Sequence, residues 1–416
     1  MNFSNQYNRM KQYLLPVLKL SLMGALMGVS GGFVGAGFHH VLHFVTGVRQ
    51  SLNWLVFLLP VGGLLTVFLY RFFKLQSNRG TNEIIDSVLE NEFVSPLIAP
   101  AIFLATSITH LFGGSAGREG AALQLGGSMA SIFGKMFRFN KEERTVMIIC
   151  GMSAVFSGLF CMPLTACLFT LEFESVGTIL SPALLPCFIS ALLANKVALA
   201  MGVHATSVIQ EETVTLTFQN TWKILVLALL VSLLGIMVCY VFHKAEHLAH
   251  RWFERPYVRI VAGAIMIVFL TLLAGDHRFN GAGMEMALEA VNGRADWYSF
   301  LIKILFTVVT LAAGFKGGEI VPVFCIGATF GCVTGELLGM DPGFAAALGL
   351  VGLFCCATNS PLASIALGIE MFGGTNLYVF VLVCVITFVL SGDGGLYADQ
   401  IIEFSKSSMT RSKRQV

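Results

Sequence analysis

Gly113-Gly114-Ser115-Ala116-Gly117-Arg118-Glu119-Gly120 stands at the head of an apolar run, Ala121–Gly134. A helix that opens here points its free backbone N–H groups and the positive end of its dipole at whatever lies before it, which is a design for holding an anion. Glu119 carries such an anion itself. Ionised, its carboxylate can fill the site; protonated, or displaced by a mobile anion, it can leave. A plainer reading makes Glu119 a helix cap paired with Arg118. The depth of the segment decides between them, because a charge inside a bilayer costs from about 2.5 kcal/mol upward and is kept for function.

The surrounding chain puts this stretch in a membrane. Of 416 residues 56% are hydrophobic and only 12% charged, with a mean hydropathy of +0.77, far from a soluble globular balance. Apolar stretches long enough for ~30 Å of hydrocarbon recur about a dozen times, among them Leu14–Val48, Trp54–Tyr70, Val146–Leu171, Lys223–Val241, Val261–Gly275 and Val379–Leu390. Ala121–Gly134 and Val321–Gly339 are expected not to cross fully, each standing behind a Gly-rich charged segment, as half-helices and broken helices do in transporters. Arg9 and Lys11 precede the first span, and Lys406, Arg411, Lys413 and Arg414 close the chain, so both termini are expected in the cytoplasm. The first span is too long for a cleavable signal. A net charge of +2 gives no support for a nucleic-acid partner, and the ten cysteines, mostly inside apolar runs, read as core residues.

The chain repeats itself. Gly117 through Gly126 aligns with Gly318 through Gly327 at an offset of 201, and Pro163-Leu164 followed by Glu172 is echoed by Pro361-Leu362 followed by Glu370 at an offset of 198. These matches predict a single transmembrane domain over 1–416, built from repeats 15–202 and 222–396, with 398–416 as a short cytoplasmic tail too small for a regulatory domain. Such repeats place a substrate site at their interface, made of helix ends. His243–Arg259 reads as a solvated or interfacial connection. Gly24, Gly28 and Gly32 predict close helix packing.

Gly117-Arg118-Glu119-Gly120 resembles the Gly-Arg-Glu-Gly-Pro signature of the CLC chloride channels and proton-coupled exchangers, with Ala121 in place of the proline. In that family the glutamate is the gate and the outer proton acceptor. Gly317-Gly318-Glu319-Ile320-Val321-Pro322 is similar to the family's Gly-Gly-Ile-Phe-x-Pro segment, which implies that the Ile320 and Val321 amides face the anion. Ser391-Gly392-Asp393-Gly394-Gly395-Leu396-Tyr397 lies where the family has an anion-contacting tyrosine; alone, Tyr397 would read as an interfacial anchor. Arg79-Gly80-Thr81-Asn82-Glu83 stands for Gly-Ser-Gly-Ile-Pro, with Gly80 at the serine, so that the inner contact falls to the Gly80 or Thr81 amides or the Thr81 hydroxyl. An ordinary helix start capped by Asn78 or Thr81 is the alternative.

Phe173 holds the place of the inner glutamate of chloride/proton exchangers. Glu172 and Glu174 remain as proton-path candidates, Glu172 also as a structural counterpart of Glu370. With the missing proline and serine, and with Glu319, these departures resemble the fluoride-exporting clade, although that clade usually has a methionine where Gly80 stands. Fluoride is small and strongly hydrated, so its site must offer compact donors in place of water. Glu319 either takes part or is neutralised by Lys316, and Asn82 adds a polar group to the same stretch.

The resemblance implies an all-α, CLC-type inverted-repeat bundle with broken and tilted helices, a homodimer with one pore per subunit. The expected function is a fluoride/proton antiporter of the cell membrane, with Glu119 gating and carrying protons, and Gly80, Thr81, Gly117, Arg118, Gly120, Ile320, Val321 and Tyr397 lining the anion path. A chloride/proton exchanger and a passive channel are the alternatives; no cofactor or metal is expected. Gly113-Gly114-Ser115-Ala116-Gly117 also fits a Gly-x-Ser-x-Gly nucleophile, but an intramembrane hydrolase would need a preceding strand and a histidine partner. His39, His40 and His43 put two imidazoles on one helical face without a completing ligand, and read as a polar patch at a helix end.

Overall fold

The computed structural model describes residues 3–75, 79–90, 92–209, 214–403 and 405–406. Asn78 and the basic Arg411, Lys413 and Arg414 lie outside the described residues, as do the side chains of Arg9 and Lys11. In chain order the helices are α1 (Phe3–Ser51), α2 (Leu59–Phe72), α3 (Thr81–Leu89), α4 (Ile98–Leu111), α5 (Glu119–Met136), α6 (Lys141–Phe160), α7 (Pro163–Glu172) and α8 (Ser181–Ala200). They continue as α9 (Phe218–Trp252), α10 (Pro256–Ala274), α11 (Met284–Val291), α12 (Ser299–Ala312), α13 (Ile320–Leu337), α14 (Pro342–Thr358), α15 (Pro361–Phe372) and α16 (Leu377–Leu390). The described strands are β1 (Ser175–Val176) and β2 (Ile401–Ile402), which pair in parallel. Among the described residues seven helices are long and apolar enough to cross a membrane, and six more are apolar but only 10–17 residues long; the expected span Val379–Leu390 is one of these, Leu377–Leu390. The protein is an all-α, multi-pass membrane bundle of inverted repeats.

Local chemistry sets the breaks. Val146–Leu171 is not one span: Cys161 turns left-handed at φ 56°, and Pro163 starts α7 where its missing N–H is harmless. His243–Arg259, the expected solvated or interfacial connection, is helical over most of its length, since α9 runs on to Trp252 and Pro256 opens α10. Trp54–Tyr70 begins as a 3-10 turn, Asn53–Leu58, before α2. The two half-helix candidates are helices of 18 residues each, α5 and α13, about 27 Å long. At the head of α6, the Asn140 side chain accepts from Glu143 N at 2.8 Å while the Glu143 carboxylate accepts from Asn140 N at 3.2 Å, a capping box.

Packing repeats with the sequence. On α5 and α6, Gly126 and Gly151 lie so close that a Cβ on either would strike the other's carbonyl; Gly327 and Gly349 stand in the same relation on α13 and α14. The first members of the two pairs are 201 positions apart and the second members 198, the offsets of the motif matches. Along α1, Gly24, Gly28 and Gly32 meet the backbone of α8 at Pro186, Ser190 and Ala194. All ten cysteines are buried free thiols.

Candidate anion-binding site

The loops that open α5 and α13 are joined to each other. Gly117 N donates to Gly318 O at 2.7 Å and Gly318 N to Gly117 O at 2.9 Å, an isolated antiparallel bridge between the halves of the molecule. Neither helix start has a side-chain cap, at Arg118 or at Glu319, so the first N–H groups of both are left to other partners. That partner is Glu119, whose side chain is fully buried. Its Oε2 accepts from Arg118 N at 2.7 Å and its Oε1 from Val321 N at 3.1 Å, with the Ile320 amide also turned toward it.

The carboxylate therefore sits where the backbone donors of two helix starts converge. It is not paired with the Arg118 guanidinium, which instead lies over the Phe160 ring at 4.9 Å and reaches His39 Nδ1 at 3.4 Å. Gly117 and Gly318 wall the seat so closely that a Cβ on either would overlap the carboxylate. A Cβ on Gly120 would stand 2.9 Å from Thr81 Oγ1, which brings the start of α3 against the start of α5.

Two cavities flank this seat. The larger, about 660 Å³, is lined by Gly80, Thr81, Asn82, Gln124, Glu319 and Tyr397, among others. The smaller, about 370 Å³, is lined by Arg118 and Val321, both donors to Glu119, together with Arg49, His110 and Gly281. In the larger cavity the phenol of Tyr397, Asn82 Oδ1, Gln124 Oε1, Tyr70 Oη and Glu319 Oε2 are buried without a hydrogen-bond partner among the described residues. Buried polar atoms left open around one cavity are the mark of a path filled by water or ions. Gly80, at φ +68°, has none of the described residues within 4 Å of where a Cβ would stand, so among them the place of the resembling serine is left open. Lys316 sits over the Tyr70 ring, 4.5 Å from its centroid, and reaches Glu319 only through space.

Phe173 is fully buried and packs edge-on against Tyr397, ring centroids 4.8 Å apart. Glu172 is turned away to the head of α15, accepting from Leu362 N and Ala363 N. Glu174 stays at β1, its carbonyl accepting from Ile401 N. His39, His40 and His43 lie inside α1, short of its end, and no group of three metal-ligating side chains occurs among the described residues. Ser115 follows a helix instead of a strand; its Oγ is fully buried and bound to Thr307 Oγ1 at 2.9 Å and Lys303 Nζ at 2.9 Å.

Lys303 was not singled out in the sequence. It is fully buried on α12, and its ammonium also donates to Phe279 O at 3.1 Å and Gly281 O at 2.7 Å. All three of its donors hold the 113–118 loop to the 279–281 turn. The signal was present: a lone lysine in the apolar run Ser299–Ala312.

A family model described as voltage gated chloride channel matches residues 62–392. The chain is 32% identical over 401 residues to a chloride/fluoride channel protein of Pseudomonas syringae pv. tomato, covering 94% of this chain and 89% of that one. It is 26% identical over 408 residues to the H(+)/Cl(-) exchange transporter ClcA of Vibrio campbellii, covering 88% and 84%. Among solved structures it superposes on a CLC-type fluoride/proton antiporter with a TM-score of 0.89 at 33% identity, covering 92% and 98%. A slow cyanobacterial Cl-/H+ antiporter, at 19% identity and a TM-score of 0.75 over 89% and 94%, shares the fold. With that match spanning most of its length and the Glu119 seat at its centre, the chain belongs to the voltage gated chloride channel family, the CLC proteins.

Proposed function

We propose that this protein is an anion/proton antiporter of the cell membrane that exports fluoride in exchange for protons. The observation that carries the reading is the Glu119 carboxylate in the seat formed by the Arg118 and Val321 amides. An anionic side chain held by backbone donors competes with a mobile anion for the same place. Protonation removes its charge, weakens those bonds and frees the seat, so one movement couples proton to anion. Gly80, Thr81, Gly117, Arg118, Gly120, Ile320, Val321 and Tyr397 line the anion path.

Fluoride as the substrate is supported by the relative described as a chloride/fluoride channel protein and by the fluoride/proton antiporter structure. The seat fits it: backbone N–H groups are compact donors that approach a small anion closely. With Phe173 apolar and Glu172 holding a helix end, the inner proton passes through Glu319, whose Oε2 faces the larger cavity unpartnered, with Asn82 beside it.

The larger cavity opens to the cytoplasm. Arg71, Arg79 and Arg259 lie around it, in keeping with the positive-inside tendency. Arg49, near the end of α1, lines the opposite cavity, which supports a cytoplasmic start of α1, on the side of Tyr397 and the tail. The repeats are 15–202 and 222–396, and two copies form a homodimer with a path in each.

Purified protein in liposomes loaded with fluoride or chloride, read with an anion electrode and a pH electrode, tests this. Fluoride efflux with matching proton uptake is expected, and Glu119→Gln loses the proton movement. Fluoride current without proton uptake supports a channel, chloride efflux of equal rate supports a chloride/proton exchanger, and a Glu119→Gln protein that still moves protons uphill overturns the gate.

A further inference from the structure

The smaller cavity holds a cation without a partner. Arg49, near the end of α1, makes no hydrogen bond or ion pair with the described residues, and its Nε is buried. The carboxylate with the strongest pull on it, Glu285, is held by the Gln50 amide at 2.9 Å. Arg278, in the same cavity, is paired with Asp276 and Asp296. The Arg49 guanidinium lies against the backbone of Gly281, where a Cβ would come within 3.1 Å of Nη2. Beside it His110, 4% exposed, gives Nδ1 to Thr106 O at 2.9 Å and leaves Nε2 buried and unpartnered. Arg49 is half-buried, and its Nε is an open donor out of reach of water, a cost that an anion or an ordered hydration shell in the cavity offsets.

We propose that Arg49 forms an outer station for the transported anion, a second binding place next to the Glu119 seat. The proposal rests on the transport reading above. Arg118 and Val321 belong to both places, so an anion leaving the seat passes directly into this cavity. A small monovalent anion stripped of water at the backbone amides must be rehydrated before release. The cavity, about 370 Å³, has room for roughly ten waters at liquid density. The guanidinium supplies direct donors to the anion. Because His110 Nδ1 faces a carbonyl it carries the hydrogen, so Nε2 accepts. A water there can give one hydrogen to Nε2 and the other to the anion.

The test is fluoride efflux from liposomes as external fluoride is raised. In the wild type, external fluoride retards efflux. Arg49→Gln raises the half-inhibiting external concentration about tenfold, while the internal fluoride concentration that half-saturates efflux is unchanged. Arg49→Lys keeps the charge but not the planar fork and gives a smaller shift of the same sign; it alone decides if the glutamine protein does not fold. Equal external sensitivity in the wild type and in every variant that folds overturns the proposal, as does a wild type that transports fluoride but ignores it outside. A wild type that moves no fluoride refutes the transport reading instead.

Discussion

Glu172 and Glu370 each close the other's helix. Glu172 accepts from Leu362 N at 3.2 Å and Ala363 N at 2.8 Å, at the start of the helix that carries Glu370. Glu370 in turn accepts from Leu164 N and Thr165 N, both at 2.8 Å, and from the Thr165 hydroxyl at 2.6 Å, at the start of the helix that carries Glu172. Each helix begins with a proline and has no side-chain cap of its own, so the carboxylate from the other half is the cap. Glu370→Ala should cost about 2 kcal/mol, read as a melting point lower by about 5 °C in detergent. Glu172→Gln should lower the melting point as well, yet leave the number of protons moved per anion unchanged. A changed ratio would return Glu172 to the proton path.

Gly318 leaves no room for a side chain beside Glu119. A Cβ there would overlap the carboxylate and stand 2.7 Å from Gly120 N. Neither neighbour is a flexible side-chain tip, because the carboxylate is fixed by two amides and the nitrogen belongs to backbone. Gly318→Ala should therefore displace Glu119 from the seat and cut coupled efflux by about a hundredfold or more, equivalent to roughly 3 kcal/mol. Gly374→Ala, with open space around its Cβ position, is the control. Normal coupled efflux in Gly318→Ala would mean that the seat is not where the anion passes.

Lys303 is a structural cation. Its ammonium satisfies Ser115 Oγ, Phe279 O and Gly281 O at once, so removing it strands three buried acceptors. Lys303→Met should destabilise the protein by about 3 kcal/mol, whereas Ser115→Ala, which removes one of the three acceptors, should cost about 1 kcal/mol. Thermal unfolding in detergent compares them. Retained transport in Ser115→Ala is also expected, since its hydroxyl is sealed against Thr307 and Lys303 and touches neither cavity.

The fold was legible because the membrane makes composition speak plainly and because the two halves match at fixed offsets. Gly117 with Gly318, and Glu172 with Glu370, were visible as spaced pairs before their contacts were known. Helix ends were harder to place: α9 continues through His243–Trp252 because a long helix can carry polar residues beyond the apolar zone, and composition alone marks that stretch as a solvated connection without saying that it is helical. At the site, Glu119 could be read from its helix start, but the convergence of Val321 N on its carboxylate is a relation across 202 positions. Lys303 and the unpartnered Arg49 were missed for the same reason, since what a lone cation touches is decided by chain segments far away in sequence.

Tyr397 separates packing from anion contact within one side chain. Its ring is held by Phe173 and its backbone by the tail, where Gln400 N donates to Tyr397 O at 3.3 Å. Its hydroxyl is buried beside the larger cavity with no partner among the described residues. Tyr397→Phe deletes only that hydroxyl. Folding stability should stay within about 0.5 kcal/mol of wild type, because no internal bond is lost. The internal fluoride concentration giving half-maximal efflux should rise about three- to tenfold, the worth of one hydrogen bond to a charged group. An unchanged concentration with a lowered melting point would instead assign the hydroxyl to the structure and leave the anion to the backbone amides alone.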